Sequence, residues 1–171
     1  MYQLKKILPA LLLFLCGCSS PHGDYVRQLR SGTVDQRIDA AAFLGAQRVF
    51  EAVPHLRAAL RDSAAPVRTK AAWALGMLRA KEAVRDLIRM LGDKDRDVRQ
   101  IVAWALMQIE EPEAILALER AMASESDAWV KKDMERAVRY LRQFDGEADV
   151  EEGRVRPAAT ASWMRSGLAP E

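Results

Sequence analysis

Side chains able to do acid–base, metal or nucleophilic chemistry are sparse in this chain. The only histidines are His22 and His55, and no histidine, cysteine and carboxylate cluster has metal-ligand spacing. No glycine-rich loop stands between a strand and a helix to cradle phosphate. No catalytic group, cofactor or metal is therefore expected. Two sets of residues remain, and both suggest binding. Arg61, Arg85, Arg89 and Arg120 recur along the chain, and a guanidinium suits paired contacts to carboxylates or phosphates. Trp73 and Trp104 stand 31 residues apart and could form an aromatic ladder for a partner. The plainer alternatives are a solvated charged face for the arginines, and packing over Lys70 and Met77 or against a neighbouring unit for the tryptophans.

These residues sit on a periodic scaffold. Arg37, Arg68 and Arg99 share a step of 31, as do Leu44, Leu75 and Leu106. Ala52, Ala83 and Ala114 keep it, and so do Val53, Val84 and Ile115, then Leu56, Leu87 and Leu118, then Leu60, Leu91 and Met122. Self-similarity at this period is the mark of a solenoid, in which each unit buries its apolar face on the next. Within one unit, Val67, Ala71, Ala74, Leu75 and Leu78 form an apolar stripe at helical spacing, and Val84, Leu87 and Leu91 form a second after the turn "RAKE". Each unit reads as a helical hairpin. Gly92 and "DKDRD" separate one unit from the next, and Pro66 fits a first helical turn, where its missing N–H costs nothing. Gly45 and Gly76 fall inside first helices, where a close helix crossing would compensate for their low helix propensity. Met107 interrupts that series, so the third unit is expected to pack differently there.

The stretch "VRTKAAWALGMLRAKEAVRDLIRMLGD" resembles the HEAT-like repeat of the phycobilisome lyases, over roughly residues 25–143. The resemblance implies an all-α fold, a short α-solenoid of about three and a half hairpins. It also implies that a turn acid and an arginine six residues later form a ladder between units. Asp62 with Arg68 and Asp93 with Arg99 keep that spacing, Glu125 with Lys131 echoes it, and Ser31 with Arg37 lacks the acid. The HEAT-like hydroxylases that act on hypusine precursors bind iron through His-Glu pairs. Here His22 precedes Gly23 and His55 precedes Leu56, which excludes that activity. "YVRQLRSG" reads as a lone second helix closing one end, and "DAWVKKDMERAVRYLRQF" as a first helix closing the other, with Val130, Met134, Ala137, Val138 and Leu141 inward.

The N-terminal residues follow different rules. Lys5 and Lys6 precede the apolar run "ILPALLLFL", which is shorter than the roughly 20 residues of a membrane span but matches the core of a secretory signal. Leu15, Cys16 and Gly17 before Cys18 resemble the lipobox of bacterial lipoproteins. That resemblance implies removal of residues 1–17, a lipidated Cys18, and a linker over residues 18–24. The mature chain would then have no free thiol. It would also lose Lys5 and Lys6, so 26 basic residues fall to 24 against 24 acidic ones, and the electrostatic case for nucleic-acid binding disappears. A bilin lyase of photosynthetic cells would work in the cytoplasm, on the wrong side of the membrane for such a protein. Residues 144–171 lack sustained periodicity and read as a disordered tail, with Trp163 as a short docking element.

The expected function is thus a membrane-anchored, non-catalytic scaffold or adaptor for other proteins of the cell envelope. Ser19 and Ser20 after the lipidated cysteine favour the periplasmic face of an outer membrane. The alternative is a carrier or chaperone of anionic envelope molecules, using the arginines of the second helices as a concave face.

Overall fold

The computed structural model describes residues 22–145, and all regular structure among the described residues is helical. The expected signal segment, Cys18 and the tail beyond Asp145 lie outside the described residues; Phe144 and Asp145, expected in the tail, instead end the last helix, and Gly23 and Asp24, expected in the linker, open the first. Eight α-helices follow one another: α1 Gly23–Ser31, α2 Val34–Ala46, α3 Val53–Ala59, α4 Ala65–Met77, α5 Val84–Met90, α6 Arg96–Ile109, α7 Ile115–Ser124 and α8 Ala128–Asp145. Short 3-10 turns, Phe50–Ala52, Lys81–Ala83 and Pro112–Ala114, open α3, α5 and α7. The even-numbered helices pack side by side in one layer. Each odd-numbered helix lies against the even-numbered helix that follows it, so the chain forms an α-solenoid of two layers. Cut at the repeated phrase, the array is three hairpins with half a unit at either end. Cut by contact, it is four hairpins, because each terminal helix finds a partner.

Burial follows the sequence period. Leu44, Leu75 and Leu106 are sealed in the first layer, Leu56, Leu87 and Leu118 in the second, and each contributes about 1.5–3 kcal/mol of apolar transfer. All five inward residues expected in α8 are buried. The helix starts are capped by nearby side chains. Thr33 and Gln36 form a reciprocal capping box on α2, and Asp95 accepts from the amides of Asp97 and Val98 on α6. Pro66 occupies the first turn of α4.

The helix crossings explain the two internal glycines. A Cβ on Gly45 would lie 2.7 Å from both Cα and Cβ of Ala74, and one on Gly76 would lie 2.9 Å from Ala105 Cα. α2 meets α4, and α4 meets α6, with no room for a methyl group. The Trp73 ring covers Gly45 and the Trp104 ring covers Gly76, at 3.1 and 2.8 Å from the same Cβ positions. At the next junction Met107 replaces the glycine, and Arg136 falls where the tryptophan would be. A cleft opens at that place.

Three of the first-layer helices, α2, α4 and α6, end alike. Arg48, Arg79 and Glu110 take left-handed backbone at φ 53°, 49° and 61°, each just past a first-layer helix. The amides of Val49 and Ala80 reach back to the carbonyls of Leu44 and Leu75 at 3.0 and 3.1 Å, closing these helices by the usual left-handed turn. A side chain there costs about 1–2 kcal/mol. Arg79 offsets part of this by gripping Glu110 through two bonds of 2.9 and 3.1 Å.

Candidate functional site

The most buried ion pairs of the described residues form the ladder between units. Arg37 binds Asp62 at 2.7 and 3.0 Å, Arg68 binds Asp93 at 2.8 and 2.7 Å, and Arg99 binds Glu125 at 2.7 and 2.8 Å. Every arginine therefore reaches forward to the acid of the following turn. Its remaining nitrogen donates backward to a main-chain carbonyl of its own turn: Arg37 to that of Gly32 at 2.8 Å, Arg68 to that of Asp62 at 3.0 Å and Arg99 to that of Asp93 at 2.9 Å. All three backward bonds go to main-chain carbonyls, so the missing acid at Ser31 deprives Arg37 of none of them. Each acid also caps the next helix approach, accepting from the amides of Ala64, Asp95 and Asp127 at 2.9 Å.

These contacts shift the titrations. Burial works to raise the Asp62 and Asp93 carboxyls, but the arginine and amide hydrogen bonds and the nearby positive charges outweigh it and hold both below the ordinary range. The bond from Arg99, acting against burial, does the same for Glu125. Arg68, only 6 % exposed, and Arg99 are raised by bonds to their acids. Glu125 arrives one residue late, 32 positions after Asp93 where the earlier step was 31. α7 absorbs the extra residue by running ten residues against seven in α3 and α5, and the longer glutamate keeps both bonds to Arg99.

The four arginines singled out above stand at the surface without converging on one centre. Arg61 falls in the turn after α3 and is exposed, as is Arg120 on α7. Arg85, whose side chain is 86 % exposed, lies 3.7 Å from Glu113. Arg89 is paired with Asp86, which also accepts from Arg57 Nε at 2.6 Å. Burial would raise Asp86, but the bonds from Arg57 and Arg89 keep it low. Arg57 was missed in the sequence. Its acid lies 29 residues on, off the 31-residue step that drew attention to the others.

Trp73 and Trp104 are half-buried, each packed on the preceding unit, with the Lys70 ammonium 5.3 Å from the Trp73 ring centre. Packing of both kinds named as the alternative is present, against a neighbouring unit and over Lys70. Trp104 also lines the cleft beside Met107. The cleft holds about 290 Å³ and is bordered by Asp97, Ile101, Asp133 and Arg136. Asp133 accepts from Gln100 at 2.6 Å and from Arg136 at 2.9 Å. Trp129, one turn before Asp133 on α8, is 67 % exposed. It too was missed, because it matches the position of Asp97, seven residues before that of Trp104, and so lies outside the tryptophan series. The two histidines lie apart, His22 facing the Phe43 ring at 6.3 Å, and no acid, histidine or cysteine group able to hold a metal occurs among the described residues.

The fold is shared with solved structures. The phycocyanin lyase complex of CpcE and CpcF from Nostoc sp. PCC7120 is 23 % identical with a TM-score of 0.54, over 75 % of this chain and 67 % of that one. Human deoxyhypusine hydroxylase, in complex with glycerol, is 22 % identical with a TM-score of 0.62, over 77 % of this chain. The chain spans only 47 % of that hydroxylase. An engineered protein is 22 % identical with a TM-score of 0.54, over 70 % of this chain and 61 % of its own. No curated protein matches the chain. The family model described as HEAT repeats matches residues 53–139, more than half of the sequence, and the chain belongs to the HEAT repeats family.

Proposed function

We propose that this protein is a membrane-tethered, non-catalytic adaptor of the bacterial cell envelope, anchored by a lipidated Cys18 and presenting its solenoid to another protein from the periplasmic face of the outer membrane. One observation carries this reading. The carboxylates and arginines with shifted titrations, Asp62, Asp86, Asp93, Glu125, Arg68 and Arg99, are each tied to a charged partner in the ladder or between second-layer helices. Perturbed groups often mark a catalytic centre; here their perturbation is accounted for by holding units together. The acid partners of Arg85 and Arg89 favour a protein over an anionic lipid or glycan as the ligand.

Affinity capture from crosslinked cells tests the proposal, comparing wild type with a chain carrying Arg85, Arg89 and Arg120 changed to Glu. One envelope protein recovered with wild type and lost with the variant supports an adaptor using the second-layer face. Equal recovery by both overturns that face, and recovery of no protein favours the anionic carrier. The anchor has its own test: labelled palmitate should enter the wild-type chain and not Cys18→Ser.

A further inference from the structure

We infer that the cleft between α4, α6 and α8 is a docking site for the chain's own C-terminal segment, residues 154–165, with Trp163 seated against Ile101, Trp104 and Met107. This site lies apart from the second-layer arginines and does not rest on the adaptor reading.

The cleft exists because the stacking of the first two junctions is not repeated. Met107 stands where Gly45 and Gly76 stood, and Arg136 where Trp73 and Trp104 stood. At about 290 Å³ it matches the small end of the range for sites that bury a compact group. Its floor is apolar, and its border carries Asp133 beside Arg136 and Asp97, whose side chain stays 68 % exposed although Arg96 meets it at 3.0 Å. The floor calls for one bulky apolar side chain, and the two border carboxylates, 68 % and 23 % exposed, suit an occupant that adds positive charge rather than negative.

Residues 154–165, "RVRPAATASWMR", supply both. They hold the only aromatic residue beyond Asp145, followed by Met164, and three arginines with no acid. The preceding acidic stretch "GEADVEE" is unsuited to the same border. Distance also fits. Asp133 lies twelve residues before the end of α8, or about 18 Å along the helix axis. From Asp145 to Trp163 is eighteen residues, for which a flexible chain has a root-mean-square span of about 23 Å. When the linker span matches the separation of the sites, the effective concentration is about millimolar. A segment binding only at about 1 mM as a free peptide would then fill its own cleft about half of the time. Any partner using this cleft must first displace it.

The test uses the full chain in mild detergent, labelled with 5-fluorotryptophan so that Trp73, Trp104, Trp129 and Trp163 each give one fluorine resonance. Trp163→Phe assigns the tail signal, and a free peptide of residues 152–168 gives its undocked position. Docking is supported if the Trp163 signal is displaced from the peptide position by at least half the displacement seen at saturation, unchanged on tenfold dilution, and if Trp163→Ala moves the Trp104 signal. Changing Arg154, Arg156 and Arg165 to Glu should return Trp163 to the peptide position. All these substitutions lie outside the solenoid, so none can act by unfolding it. A Trp163 signal at the peptide position in wild type overturns the inference, as does a Trp104 signal indifferent to Trp163→Ala. A displacement that fades on dilution also overturns it, since the cleft would then be filled by a second copy.

Discussion

Gly45→Ala tests the glycine crossing. Alanine is the better helix former, by about 1 kcal/mol at most, so a helix judged alone would be stabilised. The neighbours say otherwise. The added Cβ would sit 2.7 Å from Ala74 Cα and 2.7 Å from Ala74 Cβ, where carbons normally rest at about 3.5–4.0 Å. Ala74 is fully buried and its Cα cannot turn aside, so α2 and α4 must separate by roughly 0.8 Å or more. Overpacking of this kind costs about 1–3 kcal/mol, and a clash with backbone belongs at the upper end. The expected net loss is about 2 kcal/mol. With a urea slope near 2 kcal/mol/M, the midpoint should fall by about 1 M when followed by helical circular dichroism. Gly92→Ala is the control: nothing lies within 4 Å of its Cβ position, and stability should hold or rise by about 0.4–1 kcal/mol. A Gly45→Ala midpoint equal to or above wild type would refute the reasoning.

The ladder and the helix ends give further expectations. Asp93→Ala leaves the buried Arg68 guanidinium without its carboxylate and should cost about 3–5 kcal/mol, read from the same urea curves. Glu125→Asp shortens the one acid that must reach across a longer turn; losing its paired bonds to Arg99 should cost about 1.5–3 kcal/mol. Arg48→Gly, which relieves left-handed backbone at an exposed residue, should raise stability by about 0.5–1 kcal/mol, and a loss would show that the strain is already compensated. Asp62, Asp93 and Glu125 titrate below their ordinary values of 3.8, 3.8 and 4.5 in the fold, so the unfolded chain binds more protons in that window and stability rises with pH there. The ladder's contribution should be complete above about pH 5 and lost as the pH falls through the depressed folded values. Urea midpoints that stay level from pH 6 to about pH 3 would contradict this.

Much of the architecture was legible because packing repeats. Leu44, Leu75 and Leu106 must each fill the same hole, so their spacing announces the unit, and the glycines announce the crossings. The partners of the ladder were legible only in part. Spacing relates Asp62 to Arg68 along the chain, whereas the bonds run from Arg68 to Asp93 and from Arg37 to Asp62, set by how one hairpin lies on the next. Trp129 escaped because it matches Asp97, a position that carries no aromatic residue in the other units. The cleft had a trace in Met107, but its far wall is made by Asp133 and Arg136 of α8, which a 31-residue step does not place. The arginines show the opposite limit: helical projection put Arg85 and Arg89 at the surface, and could not show that Glu113, from the next unit, approaches Arg85 or that Arg89 shares Asp86 with Arg57.

The missing glycine at Met107 has a mechanical consequence. Packed helices in a row behave as rods joined in series, and the compliance of such a row is dominated by its softest joint. Two joints are locked by backbone contact at Gly45 and Gly76 with a tryptophan wedged over each. The third, between α6 and α8, has a flexible methionine and an open cleft in that place. Bending should therefore concentrate there, leaving α1 to α6 as one stiff lever and α7 with α8 as a shorter arm. A load applied across the array would open that joint first, and a ligand bridging it would set the angle between the arms.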